Sequence, residues 1–309
     1  MSISPENIKR VKGMGFLHNK GTDCFNGRVI TVNGKITADQ AIAIAEAAKK
    51  YGSGAVEYTT RLTVEIPGIH YDNIDAFREA IQACGLDTGG TGSLVRPVVS
   101  CKGTTCQYGL LDSFALSEKI HEKFYLGYRT VRLPHKFKIA VGGCPNNCVK
   151  PDLNDIGVVG QLVPQYDEDL CNGCKKGQVS AIWPVGAAKV VDGILEIDEE
   201  KCNNCGRCVE KCPFDCIEEG KPGYKVYIGG RWGKQVAVGR QINHIFTSEE
   251  ELLSFIEKAI LLFREQGKTG ERFAATIERL GFENVEAQLS GNEILDRKQV
   301  EILQINDYN

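Results

Sequence analysis

The sequence predicts an α+β fold in which layered domains of helices and strands are interrupted by a small cysteine-rich insert. The chain has 309 residues, of which 42% are hydrophobic and 25% charged, as is usual for a globular protein. Strand patterns and amphipathic helix patterns follow one another along most of the chain. Residues 166–220 break this pattern, because they hold seven of the thirteen cysteines and have 12 acidic against 6 basic side chains.

Several classes of protein do not fit this sequence. No apolar run approaches the ~18 residues that a membrane-spanning helix needs. The first residues, MSISPENIKR, lack the apolar core of a secretion signal, so we expect a cytoplasmic protein. The net charge of -3 argues against a general nucleic-acid binder. Thirteen cysteines in a reducing compartment indicate metal ligands rather than disulfides.

The first part of the chain is expected to form one small unit of helices and strands. Thr37 and Gln40 have the spacing of a capping box, in which each side chain accepts a hydrogen bond from the other residue's backbone N–H. They therefore predict the start of a helix over residues 37–52, and Gly52 is its expected end.

A regular alternation of apolar and polar side chains over residues 56–66 predicts a single β-strand. Its polar face carries Arg61, and its apolar side chains share the opposite face. Asp72 is then expected to cap a second amphipathic helix, which ends at Gly85.

The middle and the end of the chain repeat the same kind of pattern. Residues 93–100 are expected to form a strand, followed by a helix around 113–126 and a strand over 136–143. After the cysteine-rich insert, residues 225–239 again have a β-type pattern, and Ser248 then begins a long amphipathic helix.

Eleven of the thirteen cysteines fall into three groups with short internal spacings, which lets several thiolates reach one metal centre without a large loop entropy. The groups are Cys101 with Cys106, Cys144 with Cys148, and Cys171, Cys174, Cys202, Cys205, Cys208, Cys212 and Cys216. Within the third group, KCNNCGRCVEKCP is a complete C-x2-C-x2-C-x3-C-P run, the bacterial ferredoxin signature. It favours an iron–sulfur cluster over a structural zinc site. The two isolated cysteines, Cys24 and Cys84, are expected to be ordinary buried thiols.

The first half of the insert is not a complete ferredoxin motif. Gly177 stands where a third cysteine would be, and Trp183 stands where a fourth would be. Seven cysteines cannot supply two complete cysteinyl clusters, so two arrangements stay open. In one, Cys216 joins Cys171, Cys174 and Cys212 around one cluster, and Cys202, Cys205 and Cys208 hold another that has no fourth cysteine. In the other arrangement the insert holds a single cluster.

A strongly basic stretch precedes the second cysteine pair. RTVRLPHKFK, residues 129–138, contains five basic side chains and no acid. In a strand, Lys136 and Lys138 would point to the same face. They could be solvated lysines on a sheet face, but arginine and lysine beside a metal centre also suit a polycarboxylate cofactor or an oxyanion substrate.

Several segments together resemble the sirohaem sulfite and nitrite reductases. They are TTRLTVEIPGI, VRPVVSCKGTTCQYGL, LPHKFKIAVGGCPNNCVKPDLNDIGVVG, YIGGRWGKQVAVGRQI and GERF, and they cover nearly the whole chain outside residues 166–220. Within that family, a chain this short with a ferredoxin-like insert is most similar to the sirohaem subunit of the anaerobic sulfite reductases.

The resemblance implies a sirohaem whose iron shares a cysteine thiolate with a [4Fe-4S] cluster. It implies that the cluster ligands are Cys101, Cys106, Cys144 and Cys148, with Cys148 as the shared ligand. It also implies that Arg61, Arg96, Lys136 and Lys138 contact the cofactor and hold the anionic substrate over the iron. One feature departs from the family, because four residues separate Cys101 from Cys106 where five are usual.

The resemblance further implies a division of the chain into three parts. Residues 1–85 would form a ferredoxin-like half domain, residues 86–165 and 221–309 the sirohaem and [4Fe-4S] domain, and residues 166–220 an inserted ferredoxin-like module. One or two additional clusters are expected in the insert.

The expected function is that of the catalytic subunit of a sulfite reductase, which reduces sulfite to sulfide with six electrons. Reduction of nitrite to ammonia and a non-catalytic, electron-carrying role are the alternatives. No flavin or nicotinamide motif is present, so electrons are expected from iron–sulfur or flavin subunits or from a ferredoxin. Because the chain has only one copy of the KFK and C-x3-C unit, we expect a homodimer or a hetero-oligomer.

Overall fold

The computed structural model describes residues 3–174, 177–183 and 185–305. Three separate clusters of buried apolar side chains lie within them. One belongs to the amino-terminal part, one to a larger sheet covered by helices, and one to the cysteine-rich insert. The three-part division proposed from the sequence, with its boundaries, stays a prediction.

The amino-terminal part is a sheet with the strand order β1-β2-β4-β3, in which β5 also pairs with β2. Its elements in chain order are α1 (Pro5–Gly13), β1 (Phe16–His18), β2 (Cys24–Ile30), α2 (Ala38–Tyr51), β3 (Glu57–Tyr58), β4 (Val64–His70), α3 (Ile74–Ala83) and β5 (Asp87–Thr88). The capping box before α2 is confirmed, because the Gln40 N–H donates to Thr37 Oγ1 at 3.1 Å and the Thr37 N–H donates to Gln40 Oε1 at 3.0 Å.

The prediction of one strand over residues 56–66 is wrong, because β3 and β4 form an antiparallel hairpin. The Thr59 N–H donates to the Thr63 carbonyl at 2.9 Å and closes the turn between them. Leu62 adopts a left-handed backbone with φ of 57°, which is uncommon for a leucine and which the alternating pattern did not reveal. Arg61 therefore lies in the turn and not on a strand face.

The predicted cap of the second helix is also wrong. A short 3-10 turn over residues 71–73 precedes α3, and the His70 ring, not Asp72, accepts a hydrogen bond there. The helix nevertheless buries its predicted apolar face, and the chain turns at Gly85 with φ of 77°.

The larger sheet has the strand order β12-β11-β8-β7-β6, in which β6, β7 and β8 are mutually parallel. The remaining elements in chain order are β6 (Val99–Ser100), α4 (Ser113–Ile120), β7 (Ile139–Gly142), β8 (Ile156–Pro164), α5 (Gln178–Ile182), β9 (Ala188–Val191), β10 (Ile194–Ile197), β11 (Gly220–Ile228), β12 (Arg240–Phe246), α6 (Glu249–Gln266), α7 (Phe273–Leu280), α8 (Phe282–Ser290) and α9 (Glu293–Asp296). The start of α6 at Ser248 is confirmed, since its Oγ accepts from the Glu251 N–H at 3.2 Å.

Two predicted strands are shorter than expected. In the stretch 93–100 only β6 is a strand, although Val95 makes an isolated bridge with Phe137. The strand expected over 136–143 begins at Ile139, so both lysines of KFK precede it. The predicted helix around 113–126 is α4 continued by a π-helical turn.

The insert leaves from the end of a hairpin. Strands β8 and β11 pair antiparallel over nine residues each, from Pro164 with Gly220 to Ile156 with Ile228. The insert is also attached laterally, because the Leu162 N–H donates to the Asn204 carbonyl at 2.8 Å. No helix among the described residues is long and apolar enough to cross a membrane.

Candidate active site

A group of basic side chains meets at the amino-terminal ends of β6 and β7. Arg61 reaches this edge from the β3–β4 turn, where it donates to the Asn154 side chain at 3.1 Å and to the Pro97 carbonyl at 2.6 Å. Arg96 donates to the carbonyls of Gly90 and Gly92 at 2.5 and 2.9 Å. The turn that disrupts the predicted strand therefore delivers Arg61 to the larger sheet.

Lys136 and Lys138 lie at the start of β7, beside the two arginines. The Lys138 backbone N–H donates to the Asp155 carboxylate at 2.9 Å, which fixes the chain there. Burial lowers the pKa of Lys138 to about 8, and the nearby charges of Arg61 and Arg272 add to this effect. Burial is also the main cause of the lowered pKa of Lys136.

Two further cations belong to this group and were not found from the sequence. Arg272 donates to both oxygens of the fully buried Asp155, at 3.1 and 2.9 Å. Arg28 pairs with Glu65 at 2.5 Å. Arg272 lies in the GERF segment that carries part of the family resemblance, which was the one sequence signal that pointed to it.

Positive charge exceeds negative charge in this basic cluster, which we define as Arg28, Arg61, Arg96, Lys136, Lys138 and Arg272. Among the described residues only two of the six form an ion pair, Arg28 with Glu65 and Arg272 with Asp155. Burial lowers the pKa of both Arg61 and Arg96, and neighbouring arginines add to it. The guanidinium groups remain charged, because their intrinsic pKa is so high.

The first two cysteine pairs lie at the carboxyl ends of the parallel strands β6 and β7. Their loops approach closely because a glycine stands in each: a Cβ at Gly143 would lie 2.7 Å from the Gly103 Cα. The Gly143 N–H donates to the Cys101 sulfur at 3.0 Å. The Cys101 N–H donates in turn to the Val141 carbonyl at 3.1 Å.

The four predicted ligands Cys101, Cys106, Cys144 and Cys148, here called the four-cysteine group, lie near one another. Burial raises the pKa of the Cys144 thiol, and the other three thiols of the group raise it further. Three of the four are partly buried, whereas Cys148 is exposed. An exposed thiol beside three enclosed ones is available to a second centre in addition to a cluster.

The basic cluster and the four-cysteine group lie at opposite ends of β7. Lys138 immediately precedes the strand and Cys144 follows it by two residues. The four residues of β7 correspond to about 13 Å of extended chain. This strand therefore separates the KFK lysines from Cys144 of the same chain instead of bringing them together.

The cysteines of the insert lie in two sets. Cys202, Cys205 and Cys208 interact with one another, and they add to the burial that raises the pKa of Cys208. In the other set, the thiols of Cys216 and Cys212 are 3.0 Å apart and Cys171 lies beside Cys216. The structure shows no contact of this kind for Cys174 among the described residues.

Trp183 lies in the buried core of the insert with Cys208, Cys212 and Cys216. Trp183, which occupies the position of the fourth cysteine in a complete ferredoxin motif, is therefore a core side chain.

The residues present fit the cofactors that the resemblance implies. Within the described residues, no three His, Cys, Asp or Glu side chains are placed to hold a single metal ion. Four thiols on two loops that approach each other at glycines are the donor set of an iron–sulfur cluster, in which each thiolate binds a different iron. The basic cluster also fits an anionic macrocycle or substrate. The Nε atoms of Arg61, Arg96 and Arg272 are buried and have no hydrogen-bond partner among the described residues. Such unpaired donors favour an anion.

The chain belongs to the nitrite and sulfite reductase family. The family model of the nitrite and sulphite reductase 4Fe-4S domain matches residues 91–296, and that of the nitrite/sulfite reductase ferredoxin-like half domain matches residues 17–84. Both the α+β fold and the family expected from the sequence are confirmed.

Among its relatives is the coenzyme F420-dependent sulfite reductase of Methanocaldococcus jannaschii, 32% identical over 77% of this chain and 38% of that protein. Another is one of the subunits of the anaerobic sulfite reductase of Salmonella typhimurium, 29% identical over 47% of this chain and 46% of that protein. The chain therefore spans less than half of either relative. The crystal structure of dissimilatory sulfite reductase I has the same fold, with a TM-score of 0.68 and 21% identity over 93% of this chain and 72% of that one.

Proposed function

We propose that this chain is the catalytic subunit of a cytoplasmic sulfite reductase that uses sirohaem coupled to a [4Fe-4S] cluster. The basic cluster is the observation that carries the proposal, because its cations exceed its carboxylates and hold unpaired buried N–H groups. An electron carrier has no use for such an anion site. Relatives that are named sulfite reductases support the same choice.

In this proposal the anion site binds sulfite and delivers protons to it. The reaction consumes six electrons and seven protons, releases three water molecules and leaves hydrogen sulfide ion. Arg61, Arg96, Lys136 and Lys138 would hold the oxyanion and stabilise the charge on its oxygens. Lys138, with its pKa lowered to about 8, can give up a proton near neutral pH.

Cys101, Cys106, Cys144 and Cys148 would hold the coupled cluster, and the exposed Cys148 would be shared with the haem iron. When bound, sirohaem and its cluster supply the electron storage that no side chain can provide. The basic cluster would also pair with carboxylates of the macrocycle.

The insert would hold additional clusters in its two sets of cysteines. The 3.0 Å approach of Cys212 and Cys216 supports the set in which Cys216 is a substitute ligand, with Cys171 and Cys174. Cys202, Cys205 and Cys208 would hold the other cluster. Electrons would enter the insert from an iron–sulfur or flavin donor.

We also propose that the active unit contains a second copy of this chain or a related subunit. The basic cluster and the four-cysteine group lie at opposite ends of β7, so they do not face each other across one strand edge. Association that places the basic edge of one copy against the cysteine edge of another would complete the site.

Anaerobic purification followed by visible spectroscopy and turnover assays tests the proposal. We expect a sirohaem spectrum and reduction of sulfite to sulfide in the presence of a low-potential donor. Faster reduction of nitrite than of sulfite would overturn the substrate assignment. A protein that binds sirohaem but reduces neither anion would overturn the catalytic role.

A further inference from the structure

A small polar cavity separates two cysteine loops that belong to different groups. Its volume is about 110 Å³. Pro145 and Asn147 line it from the loop of the second cysteine pair, and Asn203 lines it from the ferredoxin motif. Gln161 on β8 and Lys225 on β11 form its floor. The cavity therefore lies between the four-cysteine group and the insert.

Three of the polar atoms that line the cavity lack protein partners, whereas the Asp152 carboxylate, which also lines it, accepts a hydrogen bond from the Asn147 side chain at 3.0 Å. Asn147 Oδ1, Gln161 Oε1 and Asn203 Oδ1 are buried and accept no hydrogen bond within the described part of the chain. Lys225 is only 9% exposed, and its ammonium makes no hydrogen bond or ion pair with a described residue. At ~30 Å³ per molecule, the volume holds about four waters, which can bridge the lysine to the amide oxygens.

Sheet pairing places Lys225 in this cavity. Lys225 pairs with Val159 of β8, and its neighbour Val226 points to the opposite face, into the apolar core. The ferredoxin loop is fixed beside this position, because Leu162 of β8 bridges to Cys205. Lys225 is thus held near the loop by a regular ladder.

A second contact joins the same two cysteine groups. The Arg207 guanidinium, between Cys205 and Cys208, lies 5.1 Å from the ring centroid of Tyr108. Tyr108 follows Cys106 by two residues. Both loops of the four-cysteine group therefore approach the loop of Cys202 to Cys208, one through the cavity and one through a cation–π contact.

A buried cation beside a redox centre changes its reduction potential. The reduced cluster carries one more negative charge than the oxidised cluster, so a nearby ammonium stabilises the reduced form. Lys225 and Cys202 line a common cleft, which brings the ammonium within electrostatic reach of the cluster that Cys202 would hold. Burial makes that interaction stronger than it would be at the surface.

We infer that Lys225 and its cavity form a solvated junction between the insert and the four-cysteine group, in which the Lys225 charge raises the reduction potential of the cluster held by Cys202, Cys205 and Cys208. The inference rests on the proposed function, since it requires a cluster at those cysteines. Lys225 acts here as a positioning residue, because it acts through the cluster and not on the substrate.

The test is a redox titration of the complete holoprotein, followed by electron paramagnetic resonance of the insert cluster. Lys225→Met and Lys225→Gln both remove the charge, and the glutamine retains hydrogen bonding to the waters. We expect each to lower the reduced-to-oxidised ratio of this cluster about tenfold at a fixed potential, which is about 59 mV for a one-electron couple. Lys221→Met is the matched control, because it removes the same charge from an exposed position on the same strand.

The outcomes separate this inference from the proposed function. A ratio that changes less than twofold in both Lys225 variants, with the cluster signal intact, overturns the role of Lys225 and leaves the catalytic assignment standing. An equal shift in Lys221→Met also overturns it, because a surface charge would then have the same effect. If the unmodified holoprotein shows no insert cluster, both the inference and the cluster assignment of the insert are wrong.

Discussion

Replacing Lys138 with methionine removes one positive charge from the basic cluster and keeps most of the side-chain volume. The lysine is partly buried, and Arg61, Arg272 and Lys136 all act on it as neighbouring cations. A preorganised donor of this kind contributes about 10²–10³-fold to turnover, equivalent to about 2.7–4 kcal/mol. We expect kcat/KM for sulfite to fall by that factor while the sirohaem spectrum is retained, because no thiolate ligand is altered.

The same substitution should stabilise the cofactor-free protein. The pKa of Lys138 is lowered from 10.5 to about 8, so below pH 8 the folded chain carries this proton at a free-energy cost. That cost is at most about 3 kcal/mol, and partial exposure reduces it to about 1–2 kcal/mol. In urea unfolding at pH 7 we expect Lys138→Met to raise the free energy of unfolding by that amount. The gain should disappear as the pH rises through 8 to 10.5.

The pH dependence of turnover provides a second measurement on the same residue. If Lys138 donates a proton, kcat/KM should fall as the pH rises above about 8, where the free protein loses that proton. The Lys138→Met variant should lack this limb of the profile. The pH dependence of its residual turnover should then reflect only the other titratable groups of the site.

Sulfite turnover is assayed under anaerobic conditions at matched sirohaem content. Lys20→Met is the control, because it removes the same charge from an exposed position outside the basic cluster. A solvated surface lysine would contribute under ~0.5 kcal/mol to stability and nothing measurable to turnover. Near-normal turnover of Lys138→Met with full cofactor would therefore remove Lys138 from the site.

Three further outcomes follow from the geometry. Gly143→Ala places a methyl group 2.7 Å from the facing cysteine loop, so anaerobically purified protein should contain fewer irons per chain than the unmodified protein; full iron content would show that the loops do not need this approach. Asp155→Ala leaves the Arg272 guanidinium unpaired and should lower the free energy of unfolding by about 3–5 kcal/mol in urea titration; a loss under ~1 kcal/mol would mean that the pair is not structurally important. Refolding an equal mixture of Lys138→Met and Cys148→Ser chains should restore about a quarter of wild-type turnover if each site uses two copies; a mixture that stays inactive contradicts sites shared between copies.

Local patterns predicted local structure well. Thr37 with Gln40 and Ser248 with Glu251 form the expected caps, because a cap depends on residues only three positions apart. The prediction of one strand over residues 56–66 was wrong for the opposite reason, because it depended on the local pattern alone. The alternation continues through a turn that the Thr59 hydroxyl closes and in which Leu62 is left-handed. Threonine is only a weak turn signal, and the stretch contains no Gly, Pro, Asn or Asp.

The candidate site could be predicted only in part, because its parts come from distant segments. The resemblance indicated Arg61, Arg96 and the KFK lysines, and the structure brings all of them to one edge. No spacing rule connects Arg272 with Asp155, which are 117 residues apart in the chain. Strand polarity, rather than the sequence pattern, decides that the lysines and the cysteines occupy opposite ends of β7.

The excess of cations connects the stability and the activity of this protein. Six cations around two carboxylates repel one another, so the basic cluster weakens the fold in the absence of an anion. An anion that binds only the folded state offsets this repulsion and stabilises the protein in proportion to its affinity. Substitutions such as Lys138→Met should therefore reduce both turnover and the stabilisation that sulfite provides. A lysine that supported only the fold would lower the free energy of unfolding when it was replaced, so the sign of the stability change distinguishes a binding role from a structural one.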